Sequence, residues 1–199
     1  MRHKVHWFRP QARKSPAEVA GALALVLWAC ARRMLNALRK AGFDIDPGPA
    51  FFAFLAEALA FEIQVAWRVA HELYGETDRE AFIQALARDV ARIFAENRAE
   101  LLGGAAGEIE RRFVDEVNRR FEEYADFVHG SEGPSFAFLR YFASLVHDIV
   151  PQKDRAWIHD ELIAIEGPEA AGAVAKALAA LLDTGPQRLR RAAPASVGE

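Results

Sequence analysis

The sequence carries few polar side chains at positions where an apolar residue is expected, and Glu62 is the clearest of them. It stands between Phe61 and Ile63 in the largely apolar segment 54–69. An ionised carboxylate that is buried without a partner costs much free energy, so Glu62 must be paired, hydrogen-bonded, protonated or exposed. A protonated, desolvated carboxyl with a raised pKa is the kind of group that ligand-binding and catalytic pockets use. Glu62 is therefore the first residue of a candidate site.

Three further polar residues fall on or at the edge of apolar faces when the sequence is projected on helices: Asn97, Arg120 and Glu161. Together with Glu62 they predict an internal polar cluster of two carboxylates, one guanidinium and one amide. The same pattern is also explained by a structural ion pair between Arg120 and Glu62, by side chains that reach the rim, or by a second subunit covering the face. Buried ion pairs are more often structural than functional, which favours these explanations.

Glu57, in the same segment, receives a different interpretation. It falls within about 80° of Gln64, Arg68 and His71 at 100° per residue, so the four predict an ordinary solvated stripe.

Metal-binding motifs are weak. The dipeptides His147-Asp148 and His159-Asp160 resemble the motif of the all-α HD metal hydrolases, but His147 shares its stripe with polar Arg140, which favours a surface histidine. A di-iron bundle needs Glu-x-x-His on two helices, and the chain has none. Phosphate loops, dinucleotide fingerprints and nucleophile elbows are also missing. The sequence predicts no metal, no cofactor and no catalytic residues.

The charge distribution argues against nucleic acid as a partner. Residues 1–14 contribute five positive charges and residues 184–199 a net two, so with a formal charge of −3 overall, residues 15–183 carry −10. An acidic body of this kind repels phosphate backbones. The basic arm 1–14 could touch an anionic membrane, although a loosely tied terminus explains it as well.

Hydrophobic spacing predicts an all-α protein, a single-domain bundle of six to seven helices with long antiparallel central helices. The domain spans 15–183, between the arm 1–14 and a disordered tail 184–199. A short strand at 5–8 is the one exception considered. The expected helices are 16–41, 51–74, 77–102, 108–129, 136–150, 152–166 and 168–183.

The first helix is the element that most resembles an export signal. Its apolar run 19–31 follows a basic stretch, but it is shorter than a membrane span, and Glu18 and Arg32 close it on both sides. The single cysteine, Cys30, cannot form an internal disulfide, which favours a reducing compartment. We therefore expect this segment to be a core helix and the protein to be cytoplasmic.

These observations predict a non-enzymatic interaction or ligand-binding module that acts through helix–helix association, with a homodimer as the expected state. One alternative is a metal-dependent hydrolase or small-molecule-binding enzyme with a buried carboxylate cluster. Another is a peripheral membrane protein.

Overall fold

The computed structural model describes residues 14–45 and 47–183. The predicted arm, apart from Lys14, the strand predicted at 5–8 and the predicted disordered tail lie outside the described residues.

Helices account for most of the described chain, which confirms the all-α bundle. A short hairpin interrupts them, in which two strands of two residues each pair: β1 (His129–Gly130) and β2 (Gly133–Pro134). The helices are α1 (Pro16–Lys40), α2 (Pro49–Leu73), α3 (Glu76–Leu102), α4 (Ala106–Tyr124), α5 (Phe136–His147), α6 (Arg155–Glu161), a π-helix (Leu162–Glu166) and α7 (Gly167–Leu182).

Helix α1 begins where the sequence predicts. The Ser15 hydroxyl accepts a hydrogen bond from the Glu18 amide, and the Glu18 carboxylate accepts one from the Ser15 amide, which completes a capping box ahead of Pro16. At its other end Gly42 adopts φ +100°, a left-handed conformation that glycine takes without strain.

Helix α2 is the centre of the bundle and is buried along most of its length. Ring contacts show the direction of its neighbours. The ring centroids of Phe52 and Phe94 of α3 are 5.8 Å apart, and those of Phe94 and Phe113 of α4 are 4.6 Å apart. At the opposite end Tyr74, just after α2, meets Phe82 of α3 at 5.4 Å. Helices α2 and α3 are therefore antiparallel, as short connections imply.

Among the described residues, α2 is also the one helix long and apolar enough to cross a membrane. In its most apolar stretch 72% of the residues are buried inside the bundle, as in the core helix of a soluble protein.

Several predicted helix ends differ from those in the structure. Helix α3 begins at Glu76, one residue before the predicted start, with Gly75 as its N-cap. Helix α4 ends at Tyr124 rather than near His129 because the chain turns into the β1–β2 hairpin.

The sequence Gly167-Pro168 does not separate two helices as expected, since the chain stays helical from Arg155 to Leu182. The π-helix takes up one extra residue, and the Gly167 amide bonds to the Leu162 carbonyl, five residues back. A Cβ added at Gly167 would lie 2.5 Å from that carbonyl oxygen and 2.8 Å from Cδ2 of Leu139 in α5. Glycine is required at 167 by this close approach.

We expect Gly167→Ala to lower the free energy of unfolding by about 1–3 kcal/mol, because the new methyl group must displace backbone and a packed leucine. Gly172→Ala is the matched control, since Gly172 lies within the same α7 and an added Cβ there meets nothing within 4 Å. The control should gain about 0.5–1 kcal/mol from helix propensity. Urea unfolding of both variants measures the difference, and equal stabilities would contradict the tight π-turn.

Candidate buried carboxyl site

Glu62 lies in the middle of α2 and is fully buried. Neither of its carboxylate oxygens has a hydrogen-bond partner among the described residues. The sequence pattern therefore placed the Glu62 carboxyl group inside the apolar core correctly.

The surroundings of this group favour its protonated form. Burial raises the pKa of the Glu62 carboxyl well above its ordinary value of 4.5, and the nearby Arg33 guanidinium lowers it only partly. A neutral carboxyl avoids most of the cost of burying a charge, although it still lacks hydrogen bonds.

Two titratable groups of helix α1 interact electrostatically with Glu62: Arg33, which lowers the pKa of Glu62, and Cys30, whose own pKa responds to Glu62. Burial raises the pKa of the Cys30 thiol, the Glu62 charge raises it further, and Arg33 lowers it. Cys30 is half-buried and Arg33 is exposed. Glu62 therefore lies inward of a part of α1 that reaches the surface at Cys30 and Arg33.

The π-helix adds another acidic residue to this region. Burial raises the pKa of Glu166, Glu169 and Glu161 raise it further, and Arg33 lowers it. Arg33 thus acts on carboxyl groups from both α2 and the π-helix. Single π-turns occur often at functional sites, so the region around Arg33, which acts on both Glu62 and Glu166, is the candidate site.

Arg120 is buried as predicted, but it does not pair with Glu62. Its Nε donates to Glu57 Oε2 at 2.7 Å and its Nη2 to Glu57 Oε1, with further ion pairs to Glu116 and Glu123 on its own helix. The Arg120 and Glu57 side chains are only 6% and 12% exposed. The suggested ion pair between Arg120 and Glu62 is therefore wrong, because the Arg120 guanidinium is paired with the Glu57 carboxylate.

The stripe assigned to solvent is largely covered by α4. The Gln64 amide donates to the Phe121 carbonyl at 3.3 Å, and Arg68 donates to the carbonyls of Tyr124 and Ala125 at 3.0 and 3.1 Å. These bonds satisfy carbonyls at the end of α4 that have no partner within the helix. Only His71, beyond the end of α4, remains exposed.

Asn97 and Glu161 do not take the expected places. Both are half-buried, and the Asn97 amide donates to the Ile93 carbonyl of its own helix at 2.7 Å. Glu161 is the last residue of α6, close enough to raise the pKa of Glu166. Of the four predicted cluster residues, Glu62 and Arg120 are buried but lie in separate networks.

Potential metal ligands do not converge within residues 14–45 and 47–183, where no group of three His, Cys, Asp or Glu side chains could hold an ion. The two His-Asp dipeptides do meet, with the rings of His147 and His159 5.4 Å apart. The sequence did not predict this contact, because it depends on how α5 packs against α6.

The outer face of α1 forms a shallow depression of about 410 Å³ lined by Ala29, Arg32, Arg33, Asn36, Ala37 and Lys40. No ion pair joins these three cations to another described residue. A further cation near the end of α1, Arg39, turns away from the depression and donates to the Ile45 carbonyl.

We expect the stability of the protein to fall with rising pH because of Glu62. The folded state holds a proton that the unfolded chain releases above about pH 4.5, so this contribution is fully present below that pH. It is lost as pH rises toward the folded-state pKa, by about 1.4 kcal/mol per pH unit. Glu62→Gln cannot ionise, so its stability relative to the unmodified chain should rise with that slope.

Urea unfolding near pH 5, 6 and 7 measures this difference. Glu72→Gln is the control, because Glu72 lies on the same helix and is exposed. Parallel stability curves for Glu62→Gln and the unmodified chain would rule out a protonated, buried Glu62.

We expect Glu57→Gln to lower the free energy of unfolding by about 1.5–3 kcal/mol, because two charge-assisted hydrogen bonds to a buried guanidinium are weakened. Glu122→Gln on the exposed side of α4 is the control and should change little. Thermal or urea unfolding measures both, and equal stability of the two variants would contradict a structural role for the Glu57–Arg120 pair.

Comparison with known proteins gives no relative: no protein-family model, no curated protein and no solved structure matches the chain. Functional inference accordingly depends on the described side chains.

Proposed function

We propose that the protein is a non-enzymatic module that acts by helix–helix association and forms a homodimer. The observation that supports it is the exposure of large apolar side chains outside a well-filled core. Leu25 on α1 is 64% exposed, Trp157 on α6 is 67% exposed and Ile165 in the π-helix is 44% exposed. Burying such side chains against a partner stabilises a complex by about 1.5–3 kcal/mol each.

The chemistry of the buried groups supports binding over catalysis. A raised pKa keeps the Cys30 thiol neutral, and a neutral thiol is a poor nucleophile. Arg120 is engaged by three carboxylates, which favours a structural role over substrate recognition. The single cysteine and the enclosure of α2 favour a cytoplasmic location.

The alternative is a small-molecule-binding protein or enzyme built on Glu62. Its support is the lack of any hydrogen bond to the Glu62 carboxyl within the described part of the chain. A ligand that entered between α1 and the π-helix could satisfy that group.

Native mass spectrometry over a concentration series distinguishes the two proposals. For a homodimer we expect a species of twice the 22.1 kDa chain mass that dissociates on dilution and carries no bound molecule. A monomer at every concentration would contradict the homodimer. A stoichiometric metal or co-purified small molecule would favour the alternative.

A further inference from the structure

We propose that two copies of the chain pair through the outer face of α1, with the two helices antiparallel and the two-fold axis beside Ala29. This inference rests on the proposed homodimer and identifies the surface that forms it.

The outer face of α1 carries a continuous stripe along nearly the whole helix. Its members are three or four positions apart, and all are exposed except the half-buried Ala22. They are Glu18, Ala22, Leu25, Ala29, Arg33, Asn36 and Lys40. The mean step is about 3.7 residues, so the stripe stays on one side of a nearly straight α-helix. Such a stripe can pack against a second helix over a length of roughly 30 Å.

The spacing of the stripe is symmetric about Ala29. An antiparallel pair centred there places Ala29 against Ala29 of the second copy and Leu25 against Arg33 of the second copy. It also places Glu18 against Lys40 of the second copy, which pairs the acidic start of the stripe with its basic end. A single isologous interface of this kind closes on itself and gives a dimer.

Charge selects this orientation over the parallel one. A parallel pair would put Lys40 against Lys40 and Arg33 against Arg33, beside a further cation at Arg32. The ion pairs within the described residues leave all three cations available to a partner. In the antiparallel pair the aliphatic stem of Arg33 covers Leu25 of the second copy while its charge stays in water.

The shape of the surface also fits. Ala29 has a small side chain, so two helices can approach to roughly 8 Å at the axis. The basic depression of about 410 Å³ next to Ala29 lies where Leu25 of the second copy would be placed. Leu25 is 64% exposed in the single chain, and the pairing would cover it.

A pair of leucine variants tests the surface by light scattering and sedimentation over a concentration series. Leu25→Asp should raise the dimer dissociation constant on the order of 100-fold or more. The substitution removes two buried leucines from the interface, one in each copy. Leu101→Asp is the matched control, because Leu101 is 67% exposed, lies at the end of α3 and is not part of the stripe. It should leave the dissociation constant unchanged.

Charge reversal tests the orientation. Lys40→Glu and Glu18→Lys should each weaken the dimer about three- to thirtyfold, because each replaces two opposite-charge contacts by repulsion. The double variant should recover most of the affinity. Glu18→Lys also breaks the capping box of α1, so the double variant remains less stable to heat while its dimer is restored.

The outcomes distinguish the proposed homodimer from the proposed α1 interface. A monomeric unmodified chain would overturn both. A dimer that resists Leu25→Asp, or that Trp157→Asp dissociates in its place, would overturn the α1 interface and leave the homodimer standing. A double charge variant no tighter than the single variants would overturn the antiparallel orientation.

Discussion

The enclosure of α2 is the constraint on which the rest of the structure depends. A helix that is apolar on nearly all sides is stable in water only if other helices cover it, and its burial on α1, α3, α4, α5 and α7 achieves this. Enclosure keeps solvent from most of the polar residues that precede His71, so each of them needs a partner or a proton. Glu57 has Arg120, Gln64 and Arg68 have the end of α4, and burial favours the protonated form of Glu62.

Glu57 and Glu62 of α2 show how far sequence reasoning reaches. Hydrophobic period, the capping box at Ser15 and the Gly42 turn are local signals, and they predicted the helices and the all-α class. The same period placed Glu62 in the core correctly. It assigned Glu57 to solvent, because a helical projection gives the direction of a side chain and not what packs in that direction. The partner of Glu57 is 63 positions away on α4, a distance that no local pattern spans.

The π-turn escaped prediction for a related reason. Gly167-Pro168 is a normal signal for a helix end, and the helix continues only because the π-turn accommodates the proline and because Leu139 of α5 packs against the glycine. Both features depend on tertiary packing, which a local sequence pattern does not report. Once they are known, Glu166 is placed where Arg33 acts on it and on Glu62 together, which connects the π-turn to the buried carboxyl.

Helix α1 connects the two remaining features, since its inner side approaches Glu62 and its outer side carries the exposed stripe. Arg33 belongs to the outer stripe and still acts on the inner side: its charge lowers the pKa of Glu62, and its side chain lines the basic depression. In the proposed antiparallel pair the charge of Arg33 stays in water, so its influence on the pKa of Glu62 would persist. We therefore expect pairing through α1 and the protonation of Glu62 to be independent of each other.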